Sequence, residues 1–372
     1  MKTYKVIGLM SGTSMDGLDI AYCHITEDNG KWSYTIPIAE TIPYPPKWKL
    51  RLEQLVLQNA VTYLKTDAYL GHYFGNEVNT FIERHHLQDE LDFICSHGQT
   101  IFHQPENRFT SQIGAGSAIA ALTGFPVICD FRSVDVALGG QGTPIVPVAD
   151  KLLFHNYTYL LNLGGIANIT AHIGEKYIAF DVTPVNLILN KVAKTVGKDY
   201  DHNGDMARSG SLNQHLLDEL NASWYYDKDY PKSMSGGWVS KVMWPVVSRH
   251  NIPAADKLRT LCEHIAYQLS RAVERIMDKE KLTISKADTM LTTGGGALNK
   301  FLIERISEKV PMTVDVPDEQ TVKYKEALMI ALMGILRVRD ELNCFSSVTG
   351  ASRDSIGGTI YQGHRKLLKT HF

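Results

Sequence analysis

Cysteine is scarce: the 372 residues contain five, at 23, 95, 129, 262 and 344. They are scattered, with neither metal nor redox spacing, which excludes a disulfide-stapled fold and leaves reduced thiols in a cytoplasmic setting. No charge of one sign prevails: 38 Lys and Arg stand against 40 Asp and Glu, a net charge of −2. That gives neither a nucleic acid nor an anionic membrane anything to hold. No apolar run approaches the ~18 residues of a membrane span. The longest, "ALMIALMGILRV" from position 327, reads as a buried helix. The opening "MKTYKVIGLMSG" lacks the apolar stretch and cleavage site of a leader. The histidines form no H-E-x-x-H pattern, which argues against a protein-bound zinc. Neither G-x-x-x-x-G-K-[ST] nor G-x-G-x-x-G occurs, and two common nucleotide folds go with them.

What remains is an ordinary globular composition, 44% hydrophobic and 21% charged, at a length that suits two domains. The first forty residues read as a β-meander, "YKVIGLM", "LDIAYCHIT" and "KWSYTIPIAE". Helical periodicity follows at 46–58 and 62–85, then a strand at "LDFICSHG", a small-residue helix at "GAGSAIAALTG" and a strand at "FPVICDF". This alternation predicts α/β layers. Near position 130 the texture turns to "RSVDVALGGQGTPIVP", rich in Gly and Pro, as a connection between domains would be. After it, "YLLNLGGIANITAHIGEKYIAFD" repeats the opening layout of strand, glycine turn and strands. Helices are predicted at 186–196, 212–220, 237–249, 256–279 and 323–340, the last leading the chain back towards the first domain. The expected domains are 1–130 with about 346–372, and 131–345. The aromatic stretch "SWYYDKDY" from position 223 reads as a surface loop anchored by its rings rather than a sugar-stacking platform.

Three glycine turns follow strands: "SGTSMDG" at 11–17, Gly164-Gly165, and Gly294-Gly295-Gly296. Glycine after a strand lets backbone approach a ligand because no Cβ intervenes, and turn amides bind phosphate oxygens. Any one such turn is ordinary loop chemistry; three together predict a shared nucleotide cleft. The layout resembles the actin, hexokinase and heat-shock-chaperone superfamily. Within it, "GLMSGTSMDGLD", "SHGQTI", "CDFRSVDVALGGQGTPIVP", "LNLGGIANIT", "YDHNGDMARSG", "TTGGGALN" and "VTGASRD" resemble, in order, the motifs of the anhydro-N-acetylmuramic acid kinase family.

That resemblance implies a two-domain actin-like ATPase fold (ribonuclease H-like, α/β) with a deep interdomain cleft. It also implies ATP and Mg2+ as cofactors, a homodimer, and a cytoplasmic role in recycling cell-wall sugar. The implied reaction opens 1,6-anhydro-N-acetylmuramic acid with water and phosphorylates it to N-acetylmuramic acid 6-phosphate. Asp181, ending "YIAFD", is by resemblance the general base. Gly12, Thr13, Ser14, Met15, Asp16, Gly17 and Asp19, with Gly164, Gly165, Gly294, Gly295 and Gly296, are expected to face the nucleotide, and Asp16 the metal through water. His97, Gln99, Thr100, Asp130, Arg132, Asn186 and Glu326 are expected on the sugar side. Bland readings stand beside several of these. A turn histidine is as often a structural hydrogen-bonder, Asp130 and Arg132 could pair with each other, and Glu326 could be a solvated first-turn carboxylate.

The sequence departs from the family where Gly-Pro-Gly-Asn usually follows the base: here it reads "DVTPVN". Thr183 and Val185 would then stand where glycine lets a ligand approach, and Thr183-Pro184 predicts a helix start with a hydroxyl cap. Met10 occupies a place where the wider superfamily carries an acid. Two other functions therefore stay open: a kinase for a related anhydro or amino sugar, and an actin-like nucleotide-binding protein without transfer activity.

Overall fold

The computed structural model describes residues 1–372 except 13–14, 145–146, 175 and 366–372, with backbone alone at 147, 176 and 177. The chain forms two compact units, Met1–His155 with Tyr324–Phe372, and Asn156–Lys323.

In the first unit the meander is β1 (Lys2–Ser11), β2 (Gly17–Asp28) and β3 (Lys31–Pro43). It is joined by β4 (Phe93–Gln104), β5 (Phe109–Ile113) and β6 (Val127–Cys129). The second unit carries β7 (Tyr159–Leu163), β8 (Ile166–Ile173), β9 (Lys176–Pro184), β10 (Thr289–Thr293) and β11 (Thr313–Asp315); β12 (Thr359–Tyr361) returns to the first sheet. The sheets run β3-β2-β1-β4-β6-β12, with β5 hairpinned onto β4, and β9-β8-β7-β10-β11. In both, an antiparallel meander is followed by two parallel strands. The layout repeated in the sequence is thus a repeated topology, that of the actin-like ATPase fold.

Burial explains the strand order. β1 is continuously apolar through Val6–Leu9 because helices cover both faces of its sheet. Ile7, Leu9 and Ile94 pack with Leu70, Phe74 and Val78 of the helix Ala60–Arg84. The opposite face receives the helix Glu319–Val338 at very close range. A Cβ on Gly8 would lie 2.0 Å from the Ala327 carbonyl oxygen, and one on Gly334 would lie 2.0 Å from Cys95 Sγ. β3, an edge strand, tolerates Pro37 in its interior because the residue falls where its register with β2 shifts and has no ladder partner to lose. In the second unit the helix Ala254–Glu280 lays Leu261, Ile265, Leu269 and Val273 into one core with β7–β9.

The units divide at 155/156 and 323/324 rather than at 130/131 and 345/346 as expected from the sequence. The Gly- and Pro-rich stretch is integral to the first unit. Asp135, 1% exposed, accepts from Gly142 N at 2.7 Å and Thr349 Oγ1 at 2.6 Å, and the Cys344 thiol lies 3.2 Å away. The helix Pro147–Leu153 follows, with Lys325 paired to the buried Asp150 at 3.3 Å. The second division falls at Tyr324, where φ −114°, ψ 15° interrupts the helix Glu319–Val338.

Among the described residues no helix is long and apolar enough to cross a membrane.

Candidate active site

In the first unit, β1 ends beside β4 with Ser11 in register with Gln99. Ser11 Oγ donates to Gln99 Oε1 at 2.5 Å and lies 2.7 Å from Tyr44 OH, all three groups being buried. Two motifs 88 residues apart are thereby locked together. Beyond Ser11, Met15 N donates to Gly12 O at 3.1 Å, and Met15 takes φ +53°. Thr13 and Ser14 lie outside the described residues. Gly17 serves packing, since a Cβ there would stand 2.4 Å from the Ile42 carbonyl oxygen of β3. Asp16 is exposed and 3.6 Å from Lys49 Nζ. Asp19 accepts from Thr41 Oγ1 at 2.6 Å. Burial raises the Asp19 carboxyl above the usual range, the Thr41 bond opposes this, and the nearby Asp16 charge adds to it.

The expected sugar-side residues are not all brought together. His97, Arg132, Glu326 and Asp19 form a chain of electrostatic neighbours. Burial pushes the His97 imidazole down to about 3, with Arg132 assisting. Burial also lowers Arg132, against the pull of Glu326, while partial desolvation of its carboxyl and then the Asp19 charge raise Glu326. His97 is therefore neutral at physiological pH. Its Nδ1 faces the Gly98 carbonyl at 2.9 Å and must carry the proton, so Nε2, buried and without a partner among the described residues, offers a bare lone pair. Arg132 Nε is likewise buried and unpartnered. Glu326 is exposed and lies two residues past the break at Tyr324, in the first turn of the helical stretch that resumes there, as the bland reading has it. Asp130 does not pair with Arg132: it accepts from Ser133 Oγ and takes φ +61°. Thr100 Oγ1 accepts a long bond, 3.4 Å, from Gln112 Nε2, and its carbonyl accepts from Gln99 Nε2 at 3.3 Å. A hydroxyl donor is the natural partner for His97 Nε2. If His97 takes the sugar-side role expected from the sequence, His97→Phe raises the sugar KM about tenfold, the effect of one buried hydrogen bond with its partner left unsatisfied, while the ATP KM stays unchanged in steady-state assays.

In the second unit the other two glycine turns meet. Gly294 takes φ +82°, and a Cβ on it would stand 2.4 Å from Asn162 Oδ1 and 2.9 Å from the Leu163 carbonyl carbon. The Gly164 and Gly165 carbonyls accept from Asn186 N at 3.2 Å and Val185 N at 2.9 Å, satisfying the start of the helix Asn186–Lys194. Asn186 Nδ2 donates back to Leu163 O at 3.0 Å. A cavity of about 1110 Å³ opens here, lined by Asn186, Tyr200, His202, Gly295, Lys300 and Lys323 among others. Tyr200, His202, Lys300 and Lys323 were not singled out from sequence. The signal for two of them was within reach: "YDHNGD" places Asp201 so that its carboxylate caps Met206 N and Ala207 N at 2.9 Å, which fixes the turn holding Tyr200 and His202.

Asp181 lies on β9, half-buried. Its Oδ2 accepts from Met234 N at 2.8 Å, its N donates to Lys232 O at 3.1 Å, and its carbonyl accepts from Tyr225 OH at 2.8 Å. Burial raises its pKa above the usual carboxylate range, with the Met234 bond acting in the opposite direction. A carboxylate held by one oxygen and moderately desolvated can accept a proton, which is what a general base requires.

The family model described as anhydro-N-acetylmuramic acid kinase matches residues 4–363. The chain belongs to that family. The anhydro-N-acetylmuramic acid kinase of Sulfurovum sp. (strain NBC37-1) is 33% identical over 377 residues, covering 97% of this chain and 100% of its own. That of Aliivibrio fischeri is 34% identical over 375 residues, covering 96% and 99%. That of Vibrio parahaemolyticus is 33% identical over 372 residues, covering 95% and 97%.

Against the family pattern, Thr183 and Val185 behave differently from the expectation that they would crowd a ligand. Both are completely buried. Val185 packs into the second core, and Thr183 Oγ1 lies 3.0 Å from Tyr226 OH and 3.3 Å from His264 Nε2. Thr183 therefore does not cap a helix either. Thr183 and Pro184 stay in β9, and the helix starts at Asn186 with glycine carbonyls in place of a hydroxyl cap. The "SWYYDKDY" stretch supplies the partners: Tyr225 and Tyr226 are buried and Trp224 is exposed.

Among the described residues one group could hold a metal through nitrogen and oxygen, namely His215, Glu219 and His250. The Arg249 guanidinium already occupies Glu219 Oε2.

Proposed function

We propose that this chain is an ATP-dependent carbohydrate kinase that opens 1,6-anhydro-N-acetylmuramic acid with water and delivers N-acetylmuramic acid 6-phosphate. Family membership supplies the substrate class. The observation that carries the chemistry is Asp181, half-buried with one carboxylate oxygen tied to a backbone N–H.

The internal acetal leaves no free hydroxyl at the sixth position. A water must give its proton to Asp181 and its oxygen to the anomeric carbon. The bond from that carbon to the bridging oxygen breaks, and the bridging oxygen takes the γ-phosphoryl group of ATP as ADP departs. The protein's task is mainly positioning and charge stabilisation, as in phosphoryl transfer generally. Neutral His97 accepts a hydrogen bond from the sugar, and the half-buried Arg132 and exposed Glu326 add charged groups to that side. The glycine turns and the cavity beside Asn186 suit a nucleotide. Asp16 and Asp19 are hard oxygen donors whose mutual repulsion a cation would relieve. They would hold Mg2+ through water, and the ion would neutralise phosphate charge. A homodimer and a cytoplasmic role in cell-wall sugar recycling belong to the same reading.

The alternative of a related sugar rested on Thr183 and Val185, and their inward-facing side chains remove its motive. The test is turnover with Mg2+-ATP and the anhydro sugar in oxygen-labelled water, read by mass spectrometry. One heavy oxygen at the anomeric position of a 6-phosphorylated product is the expected result. An unlabelled phosphorylated product, or ADP formed without it, would sink the reaction as written.

A further inference from the structure

The register of β8 and β9 slips between Asp181 and Thr183: Asn168 faces Asp181, Ala167 faces Thr183, and Val182 is left over. A bulge of this kind re-aims a side chain and interrupts the ladder that would otherwise fix the strand. What fixes β9 here comes from outside the sheet. The backbone N–H of Asp181 goes to Lys232 O, its carbonyl receives Tyr225 OH, and its carboxylate receives Met234 N. All three partners lie within ten residues of one another, on one segment.

The next residue of that segment grips the far side of the bulge. Tyr226 OH lies 3.0 Å from Thr183 Oγ1 and 2.9 Å from His264 Nε2. The proton directions can be read from the far end. Asn221 Oδ1 accepts from Gln268 Nε2 at 2.8 Å, so the atom facing His264 Nδ1 at 2.7 Å is an oxygen and Nδ1 carries the hydrogen. Nε2 is then an acceptor for the Tyr226 hydroxyl, and the Tyr226 oxygen accepts from Thr183. The imidazole is completely buried and stays neutral, its pKa lowered by burial to about 3, so this ordering holds across the physiological range. Thr183, Tyr226 and His264 form one directed chain ending on Asn221 Oδ1, which Gln268 approaches as a second donor, anchored in the helices Gln214–Asn221 and Ala254–Glu280.

We propose that Tyr225 and Tyr226 are positioning residues that clamp β9 on both sides of its bulge and thereby aim the Asp181 carboxylate, Thr183 being the grip for the second tyrosine. The inference rests on Asp181 being the base. It also assigns a purpose to the departure from the family's glycine: a hydroxyl at 183 gives the strand a polar anchor that a glycine lacks.

The test compares Tyr225→Phe, Thr183→Val and Thr183→Ser with Asp181→Asn, measuring kcat, both KM values and thermal melting on the full chain. Tyr225→Phe and Thr183→Val should each lower kcat about tenfold or more, the scale of a small misplacement of a reacting group, with both KM values within about twofold. Thr183→Ser, which keeps the hydroxyl, should restore kcat. If Tyr225→Phe fails to fold, the nearly isosteric Thr183→Val with its serine rescue decides. A lower melting temperature with wild-type kcat in both variants would reduce the tyrosines to structural supports and overturn the clamp, leaving the base assignment standing. Full turnover by Asp181→Asn would instead overturn the base assignment, and the clamp with it.

Discussion

Asp181→Asn should lose between about a hundredfold and ten-thousandfold of kcat, the usual contribution of a positioned general base, while binding ATP as tightly as the parent. The substitution is a clean one here. The asparagine oxygen can still accept from Met234 N, so the local backbone keeps its course. Stability should not suffer either. Burial raises the Asp181 pKa in the folded state. Folding therefore favours the protonated carboxyl, and the ionised form costs stability once pH rises through the unfolded and then the folded pKa. At neutral pH the neutral amide removes that cost. The melting temperature of Asp181→Asn should equal or exceed that of the parent, and calorimetric titration with ATP should give an unchanged affinity. The same raised pKa fixes the acid limb of the kcat profile: activity should fall as pH drops through a value above the ordinary ~3.9 of an aspartate. His97 cannot supply that limb, because its imidazole, at about 3, stays neutral throughout the range. A variant with parental kcat, or one that no longer binds ATP, would contradict the assignment.

How much of this was legible in the sequence depended on whether the cause was local. The two meanders and their glycine turns announce themselves by alternation and by turn chemistry, both properties of a few adjacent residues, and the doubled sheet follows. Helix 254–280 was readable to within two residues because its apolar stripe runs for seven turns. The stretch 237–249 was legible as helical but not as irregular. It contains a π turn at Val239–Met243 just ahead of Pro245, whose missing N–H leaves the ordinary bond pattern unfillable there. The strand read at "FPVICDF" is β6, whereas the three-residue β12 exists only through its pairing with β6. Asp135 illustrates the limit best. In a Gly- and Pro-rich stretch it looks like a loop aspartate, yet it is held by Thr349, 214 positions away. Thr183 failed for the same reason. Its preference for capping is a local rule, and a buried tyrosine 43 residues on offered its hydroxyl a better partner.

The glycine turn of the second unit can be tested by a pair of substitutions that share one cost and differ in another. Gly197 and Gly294 both have positive φ, +75° and +82°. Alanine at either should cost about 1–3 kcal/mol in backbone strain. Around Gly197 there is nothing within 4 Å of an added Cβ, so strain is the whole effect. At Gly294 the Cβ would also meet Asn162 Oδ1 at 2.4 Å and the Leu163 carbonyl carbon at 2.9 Å. The asparagine can turn aside; the backbone of β7 cannot. Relief requires the 294–296 turn to lift from Leu163, at a further cost of about 1–3 kcal/mol for overpacking. That movement also strains the Asn186 bond to Leu163 O and shifts Gly295 at the cavity wall. Gly294→Ala should therefore melt well below Gly197→Ala and bind ATP at least tenfold more weakly, whereas Gly197→Ala keeps parental affinity. Equal melting temperatures with equal ATP affinities would show that close approach at Gly294 has no bearing on the nucleotide, and that this turn is a fold element alone.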